Sequence, residues 1–456
     1  MRKILLGTTA VVGAALFGAV DAQAQQQFQT PGQAVGEQIQ ARPLMPAQIG
    51  RPSNAPHALQ VRLGGYFVFE ANYQTDDLDR ASGLRPQGVG GIGRVARQRT
   101  DFKNEVELTV DISGKAANGM SYGGIVEIQN DGTGGTIFDV DEAYTFVSSP
   151  TLGTLRFGEE DSAASLLQVR APAILGMGLD GDWDDGLLSS SAFTGGGPSL
   201  LTGINDGNDS TKIVYLSPQF FGFDFGVSFS PNRNEGDRII GGRAVDSISV
   251  TAGSALAPTP VQRDGTGLTN EISAAIRYRG SFQNVGVAAG FGAQFADSPG
   301  VNTNGTPITN QAKNVSTYTV GAQVSAYGFT FGGEYTWGNY LGNPATGALP
   351  QGRDMSSHYG FGLTYVMGAW SFGGFYGVAS QSNGPGVSSR EQTIWGIGTA
   401  YTIAPGLEVF ASYNQLRDND VNISLPAVTI SGTTYPAGTL QNRDAEVLMI
   451  GTRLAF

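Results

Sequence analysis

The sequence predicts a closed antiparallel barrel of sixteen membrane-spanning β-strands. Three observations carry that expectation. The chain opens with an export signal and has no later apolar run long enough for a spanning helix; apolar and polar residues alternate with period two from residue 59 to the last residue; and the alternating segments, even in number, are joined by connections that are short and long in turn. Composition agrees: 456 residues carry 67 Gly, 24 Phe and 16 Tyr with only 14% charged residues, odd for two or three soluble domains. The absence of cysteine excludes disulfide scaffolds, thiolate metal sites and cysteine nucleophiles. With 27 Lys+Arg against 39 Asp+Glu, the net charge of -12 argues against a nucleic-acid partner and suits a cationic partner or a lumen that favours cations.

Residues 1–24 read as a signal peptide. Arg2 and Lys3 form the basic start, Ile4 to Val20 the apolar run, and Ala22-Gln23-Ala24 the cleavage site. A membrane anchor is the competing reading, but the run is short of the ~20 residues of a spanning helix. Residues 25–57 are rich in Gln, Pro and Ala without periodicity and read as a flexible leader. The barrel is expected over residues 58–456.

In Leu59 to Tyr73 the odd positions are Leu59, Val61, Leu63, Gly65, Phe67, Phe69, Ala71 and Tyr73, while the even ones include Gln60, Arg62, Glu70 and Asn72. One face is oily and the other wet. The next segment inverts the numbering: Phe102, Val106, Leu108, Val110 and Ile112 alternate with Lys103, Glu105, Glu107, Thr109 and Asp111. Sixteen such segments fall near 59–73, 99–112, 119–129, 137–147, 152–158, 211–217, 222–230, 269–279, 284–295, 314–326, 328–338, 357–367, 369–380, 391–402, 406–416 and 444–456. Connections after the even segments are turn-like, such as Ala326-Tyr327-Gly328 and Ala404-Pro405-Gly406, whereas those after the odd segments are mostly long. That places short turns at the periplasmic rim and long loops outside the cell.

Backbone groups exposed to hydrocarbon cost several kcal/mol each, so a membrane sheet must close on itself. A secreted soluble β-sandwich is the competing fold. Against it stand apolar faces that persist over all sixteen segments, strands reaching the tilted bilayer span of about ten residues, and aromatics near strand ends on the oily face. Those aromatics are Tyr73, Phe295, Tyr335, Trp337, Tyr359, Trp370, Tyr401 and Phe456. Glu142 breaks the pattern, because it shares parity with Phe138, Val140, Tyr144 and Phe146. Either a bulge re-aims it or that wall is buried against another subunit.

Asp209 to Phe223, read as DSTKIVYLSPQFFGF, resembles a strand, Ser-Pro turn and strand of general bacterial porins. Asp141-Glu142-Ala143-Tyr144 followed by Gly153 to Asp161 is similar to the run entering the constriction loop of alphaproteobacterial porins, and Phe456 with Leu454 and Ile450 resembles their C-terminal insertion signal. The likeness covers nearly the whole chain beyond residue 57. It implies a sixteen-stranded homotrimeric diffusion channel in the outer membrane of a Gram-negative bacterium, contacting lipid and lipopolysaccharide. The third external loop would fold inward, and wall bases opposite would set up a transverse field.

The residues support the inward loop independently. The connection 159–210 is the longest between segments and includes an apolar stretch, Ala171 to Met177, poorly suited to water. An external flap is the alternative. This loop carries Glu159, Glu160, Asp161, Asp180, Asp182, Asp184, Asp185, Asp206 and Asp209 against one base, Arg170; in a narrow tube that charge would concentrate cations. By parity the inward bases include Arg62, Arg97 or Arg99, Lys103, Arg156, Lys212, Arg277 and Arg279, of which Arg62, Arg277 and Arg279 sit low. Arg99, Lys103, Arg156 and Lys212 are expected on the pore wall among Glu105, Glu107, Asp139 and Asp141. Asp180, Asp182 and Asp184 alternate as oxygen ligands in a calcium loop do, yet Asp185 occupies the glycine position and no Glu follows at the twelfth. No other cofactor is expected.

The function expected is passive diffusion of small hydrophilic solutes and ions with weak cation preference, without enzymatic activity. A substrate-specific uptake channel is one alternative. A hydrolase on a similar barrel is another, but only His57 and His358 are available as bases.

Overall fold

The computed structural model describes residues 56–77, 99–130, 138–179, 182–184, 187, 204, 209–233, 248–249, 259–260, 268–300, 308, 312–340, 351–382, 386–420, 423–425, 428–430, 433–435, 438–440 and 442–456. Sixteen antiparallel strands close one barrel in sequential order. We number them β1 (His57–Asp76), β2 (Thr100–Lys115), β3 (Ser121–Gln129), β4 (Asp139–Ser149), β5 (Gly153–Glu159), β6 (Thr211–Leu216), β7 (Phe223–Asn232), β8 (Thr269–Phe282), β9 (Val285–Asp297), β10 (Val315–Ala326), β11 (Phe329–Asn339), β12 (Ser356–Met367), β13 (Trp370–Gln381), β14 (Arg390–Ala404), β15 (Leu407–Asn419) and β16 (Arg443–Ala455). Three further two-stranded pairs lie outside the barrel, in the connections β7–β8 and β15–β16. All sixteen expected segments are strands, and β1 starts at His57. The expected signal peptide and the expected leader up to residue 55 lie outside the described residues.

Closure satisfies the backbone at the seam. β1 pairs β16 from Tyr66↔Ala455 to Asp76↔Ala445, and below that Gly65 and Phe456 exchange both backbone hydrogen bonds, at 3.2 and 3.0 Å. The terminal ring stacks on Phe67 with centroids 5.7 Å apart. At the opposite end of the seam Arg443 donates two hydrogen bonds to Asp76, at 3.0 and 2.6 Å, both side chains fully buried.

The period-two pattern becomes an exposed face and a covered face. In β7 Phe223, Phe225, Val227 and Phe229 point out, while Asp224, Gly226, Ser228 and Ser230 point in. The aromatics expected at the membrane boundaries do face outward, and several pair across strands: Tyr318 stacks on Trp337 and Trp370 meets Tyr401. Short turns follow the even strands. At Ala326–Phe329 the two central residues, Tyr327 and Gly328, have φ of 52° and 84°, the left-handed pair of a type I′ hairpin; glycine takes the second position without penalty.

One expected face needs correction. Ile128 pairs Val140 and Val126 pairs Ala143, so β4 carries an extra residue opposite Glu127. This bulge turns Glu142 and, after it, Tyr144 to the inside, where both are buried; Thr145 and Val147 take the outer face. The bulge, not a subunit contact, resolves the anomalous parity of Glu142.

Candidate constriction site

β5 ends at Glu159 and β6 begins at Thr211, and the connection between them enters the barrel. A one-turn helix, α1 (Ala163–Leu167), follows an N-cap at Ser162 whose side chain accepts from the Ser165 amide. Its first amides are satisfied by the wall: Ala163 N–H donates to Ser228 Oγ of β7 at 3.0 Å and Ala164 N–H to Ser273 Oγ of β8 at 2.8 Å. The chain then runs along the inner surface strand by strand. Gln323 of β10 donates to the Arg170 carbonyl at 2.7 Å, and Arg170 lies 3.5 Å from Glu334 of β11. On β15, Ser412 Oγ donates to the Gly176 carbonyl at 2.6 Å and Asn414 Nδ2 to the same oxygen at 3.3 Å.

So close a track needs a bare wall. A Cβ on Gly321 would stand 2.7 Å from the Val169 carbonyl carbon and nearer still to its oxygen, and one on Gly362 would stand 3.1 Å from the Pro172 carbonyl carbon. Cβ atoms on Gly373 and Gly398 would crowd Ile174 and Met177 at 3.0 Å. Inward glycines on β9 to β14 therefore make the groove in which the loop lies.

The apolar stretch of the loop finds an apolar wall. Ile174, Leu175, Met177, Leu179, Trp183 and Leu187 form one buried cluster with Phe375, Ala379, Ile394, Ala400, Phe410, Leu416, Ala445, Val447 and Met449, and with Tyr66 and Val68. Trp183 is fully buried and donates from Nε1 to the Gly178 carbonyl at 2.9 Å. Hence the inner face of β13–β16 is a hydrophobic core inside the barrel. Sequence reading missed these inward residues, although Val447-Leu448-Met449-Ile450 is apolar on both faces, a signal of burial on both sides.

The expected site residues divide into three groups. Lys103, Glu105, Glu107 and Asp141 face the interior on β2 and β4, where Lys103 Nζ lies 3.7 Å from Glu105 and Tyr66 donates to Glu105 at 2.7 Å. Arg453 lies over the Tyr66 ring at 4.8 Å, and Glu107 is within electrostatic reach of Glu105, Asp141 and Arg453. Arg62 pairs with Asp111 lower on the same wall, and Arg277 and Arg279 both bind Asp224 near the periplasmic end.

A second group points inward but is sealed under the loop, which corrects the expectation of an open wall there. Arg156 is buried against Glu160 at 3.0 Å and stacks over Tyr144, and Lys212 donates to the Glu160 carbonyl from a buried position. These bases staple the loop to its own ends. The loop acids Glu160, Asp161 and Asp184 are likewise buried, while Glu159 ends β5 half-buried. Arg99 is also corrected: it is exposed at the outer end of β2, 3.5 Å from the hydroxyl of Tyr73, which belongs to the outer face.

The third group lies outside the described residues: Asp180 and Asp185 entirely, and the side chains of Asp182 and Asp139. The calcium expectation at Asp180, Asp182 and Asp184 falls mostly there; Asp182–Asp184 form a 3-10 turn. Among the described residues, the carboxylates that converge are Glu142, Asp161 and Asp209, with one oxygen from each within 4.8 Å of the others, a spacing one cation can bridge.

A closed sixteen-strand barrel, oily outside and polar within, with its longest loop folded into the lumen, is an outer-membrane channel of the porin class. The chain belongs to the Gram-negative porin family, whose model matches residues 8–421. Among solved structures it is similar to a loop-deleted form of OmpT, an outer-membrane protein of Vibrio cholerae, at 15% identity over 88% of this chain and 100% of that one, with a TM-score of 0.50. It is also similar to a porin refined at 1.8 Å, at 16% identity over 87% of this chain and 100% of that one, with the same TM-score. At these identities the likeness speaks for the fold alone. None of the curated proteins compared with the chain matches it.

Proposed function

We propose that this porin is a non-enzymatic homotrimeric channel, exported by its signal peptide, through which small hydrophilic solutes and ions diffuse passively with weak preference for cations. The observation that carries the proposal is the loop docked on the inner wall, where it narrows the barrel. Bound mainly by buried apolar contacts and hydrogen bonds to β7, β8, β10 and β15, such a loop is a fixed constriction. The cation preference is supported by net charge and by carboxylates that outnumber bases on β2 and β4. Against a hydrolase, His358 is buried beside the Tyr340 hydroxyl, 3.1 Å from Nδ1, in the barrel wall. Membership of the family supports the reading of trimeric assembly and of contact with lipopolysaccharide.

Reconstitution into a planar bilayer tests the proposal. Conductance steps in threes, without added cofactor and with a reversal potential of cation sign in a KCl gradient, are the expected result. Absence of steps, or solute uptake saturating for one compound alone, would overturn passive diffusion.

A further inference from the structure

Closure of the barrel stops short of the start of β1. Pairing with β16 ends where Gly65 and Phe456 exchange backbone hydrogen bonds, yet β1 continues down to His57, and over residues 57–64 it is paired with β2 alone. Gly65 turns its N–H and C=O to the β16 side, so Val61 and Leu63, at alternate positions below it, do the same. Among the described residues no strand meets them there. The side chains of this stretch are apolar on the outer face. Leu59, Val61 and Leu63 are 56%, 68% and 64% exposed, against 45% and 46% for Phe67 and Phe69, which have strands on both sides. Neither surrounding suits such an edge: in hydrocarbon the open backbone groups are costly, and in water the apolar side chains are. A strand laid along the edge answers both.

The chain supplies one within reach. The leader as a whole is aperiodic, but next to the barrel it alternates: Met45, Ala47 and Ile49 are apolar, with Pro46, Gln48 and Gly50 between them. We propose that residues 45–51 fold back on the lower edge of β1 as an added antiparallel strand, below Phe456. In this register Met45, Ala47 and Ile49 stand opposite Leu63, Val61 and Leu59 on the outer face, and Gln48 stands opposite Gln60 on the inner one. Pro52 to Pro56 make the loop of the hairpin, a length that hairpins use.

The prolines fit this register. Arg62 directs its backbone groups to β2, so Pro46 opposite it lacks its N–H on the far side, where no donor is needed. A shift of one residue would set Pro46 against Val61 or Leu63, remove a hydrogen bond and turn the apolar residues to the wrong face. A proline on the outer edge also blocks further strand addition, so the rim offers no template for pairing between barrels. Attachment decides between this occupant and a separate chain: joined to the edge by a short loop, residues 45–51 are present there at an effective concentration of about millimolar.

Two measurements test the inference. The chain has no cysteine, so introduced pairs report register directly. In the full chain, Gln48→Cys/Gln60→Cys is expected to close an internal disulfide on mild oxidation. Gln33→Cys/Gln60→Cys, whose first position lies outside the added strand, is expected to oxidise about tenfold more slowly. Equal rates for the two pairs overturn the proposal, and so does cross-linking of Gln60→Cys between copies, which would seat a second chain on the edge.

The second measurement is hydrogen exchange in peptides spanning residues 58–64. The amides of Val61 and Leu63 are expected to be protected in the wild type. Ala47→Pro/Ile49→Pro removes two donors facing β1 and should speed their exchange about tenfold or more, while Gln48→Pro, whose N–H faces away, should leave it unchanged. Unprotected amides in the wild type, protection that survives deletion of residues 45–51, or equal effects of the two proline variants overturn the added strand.

Discussion

A single substitution on the barrel wall separates the two forces that hold the loop. In Gly321→Val, the new Cβ would stand 2.7 Å from the Val169 carbonyl carbon, against an ordinary contact near 3.5 Å, so the loop backbone must lift off β10. Overpacking of this kind costs about 1–3 kcal/mol. Lifting also breaks the Gln323 hydrogen bond to the Arg170 carbonyl, worth about 1 kcal/mol net. The apolar anchor further along is stronger: Ile174, Leu175 and Met177 are at most 1% exposed, and at about 1.5–3 kcal/mol each they contribute roughly 5–9 kcal/mol. The loop is therefore expected to stay anchored on β13–β16 while its middle bulges into the lumen. Single-channel conductance should fall in Gly321→Val and rise in Ile174→Ser/Met177→Ser, where the anchor is lost. Should Gly321→Val raise conductance as much as the anchor variant does, the apolar cluster is not what holds the loop.

Further outcomes are expected elsewhere in the barrel. Arg443→Met strands the buried Asp76 carboxylate and should cost about 3–5 kcal/mol in urea unfolding of detergent-solubilised protein; the double variant Asp76→Leu/Arg443→Met should recover most of it. Trp183→Ala removes a fully buried ring from the loop anchor and should cost about 3–5 kcal/mol by the same assay, with a raised conductance. Deleting Phe456 removes the backbone closure at Gly65 and the stack on Phe67, and should lower the yield of heat-modifiable folded barrel on cold gels relative to wild type. Replacing Glu142 by Gln relieves the crowding of three carboxylates, and should raise the unfolding midpoint in chelator by an amount that added calcium diminishes.

Much of this molecule is legible in its sequence for one physical reason. A bilayer punishes every lipid-facing polar side chain and every open sheet edge, so strand parity, strand number and the alternation of short and long connections are all written locally. Phe223, Phe225, Val227 and Phe229 could face nothing but lipid, and the segment 159–210 was too long and too apolar at Ala171–Met177 to lie idle in water. Tertiary structure decided the rest, because no local pattern encodes it. A one-residue bulge opposite Glu127 turned Glu142 and Tyr144 inward, and the contact of the loop with distant strands buried Arg156, Lys212 and Glu160 while leaving Lys103 and Asp111 partly open. Parity tells which way a side chain points from its own strand; whether water or another segment of chain lies in front of it depends on residues far away in sequence, and only the folded loop settles that.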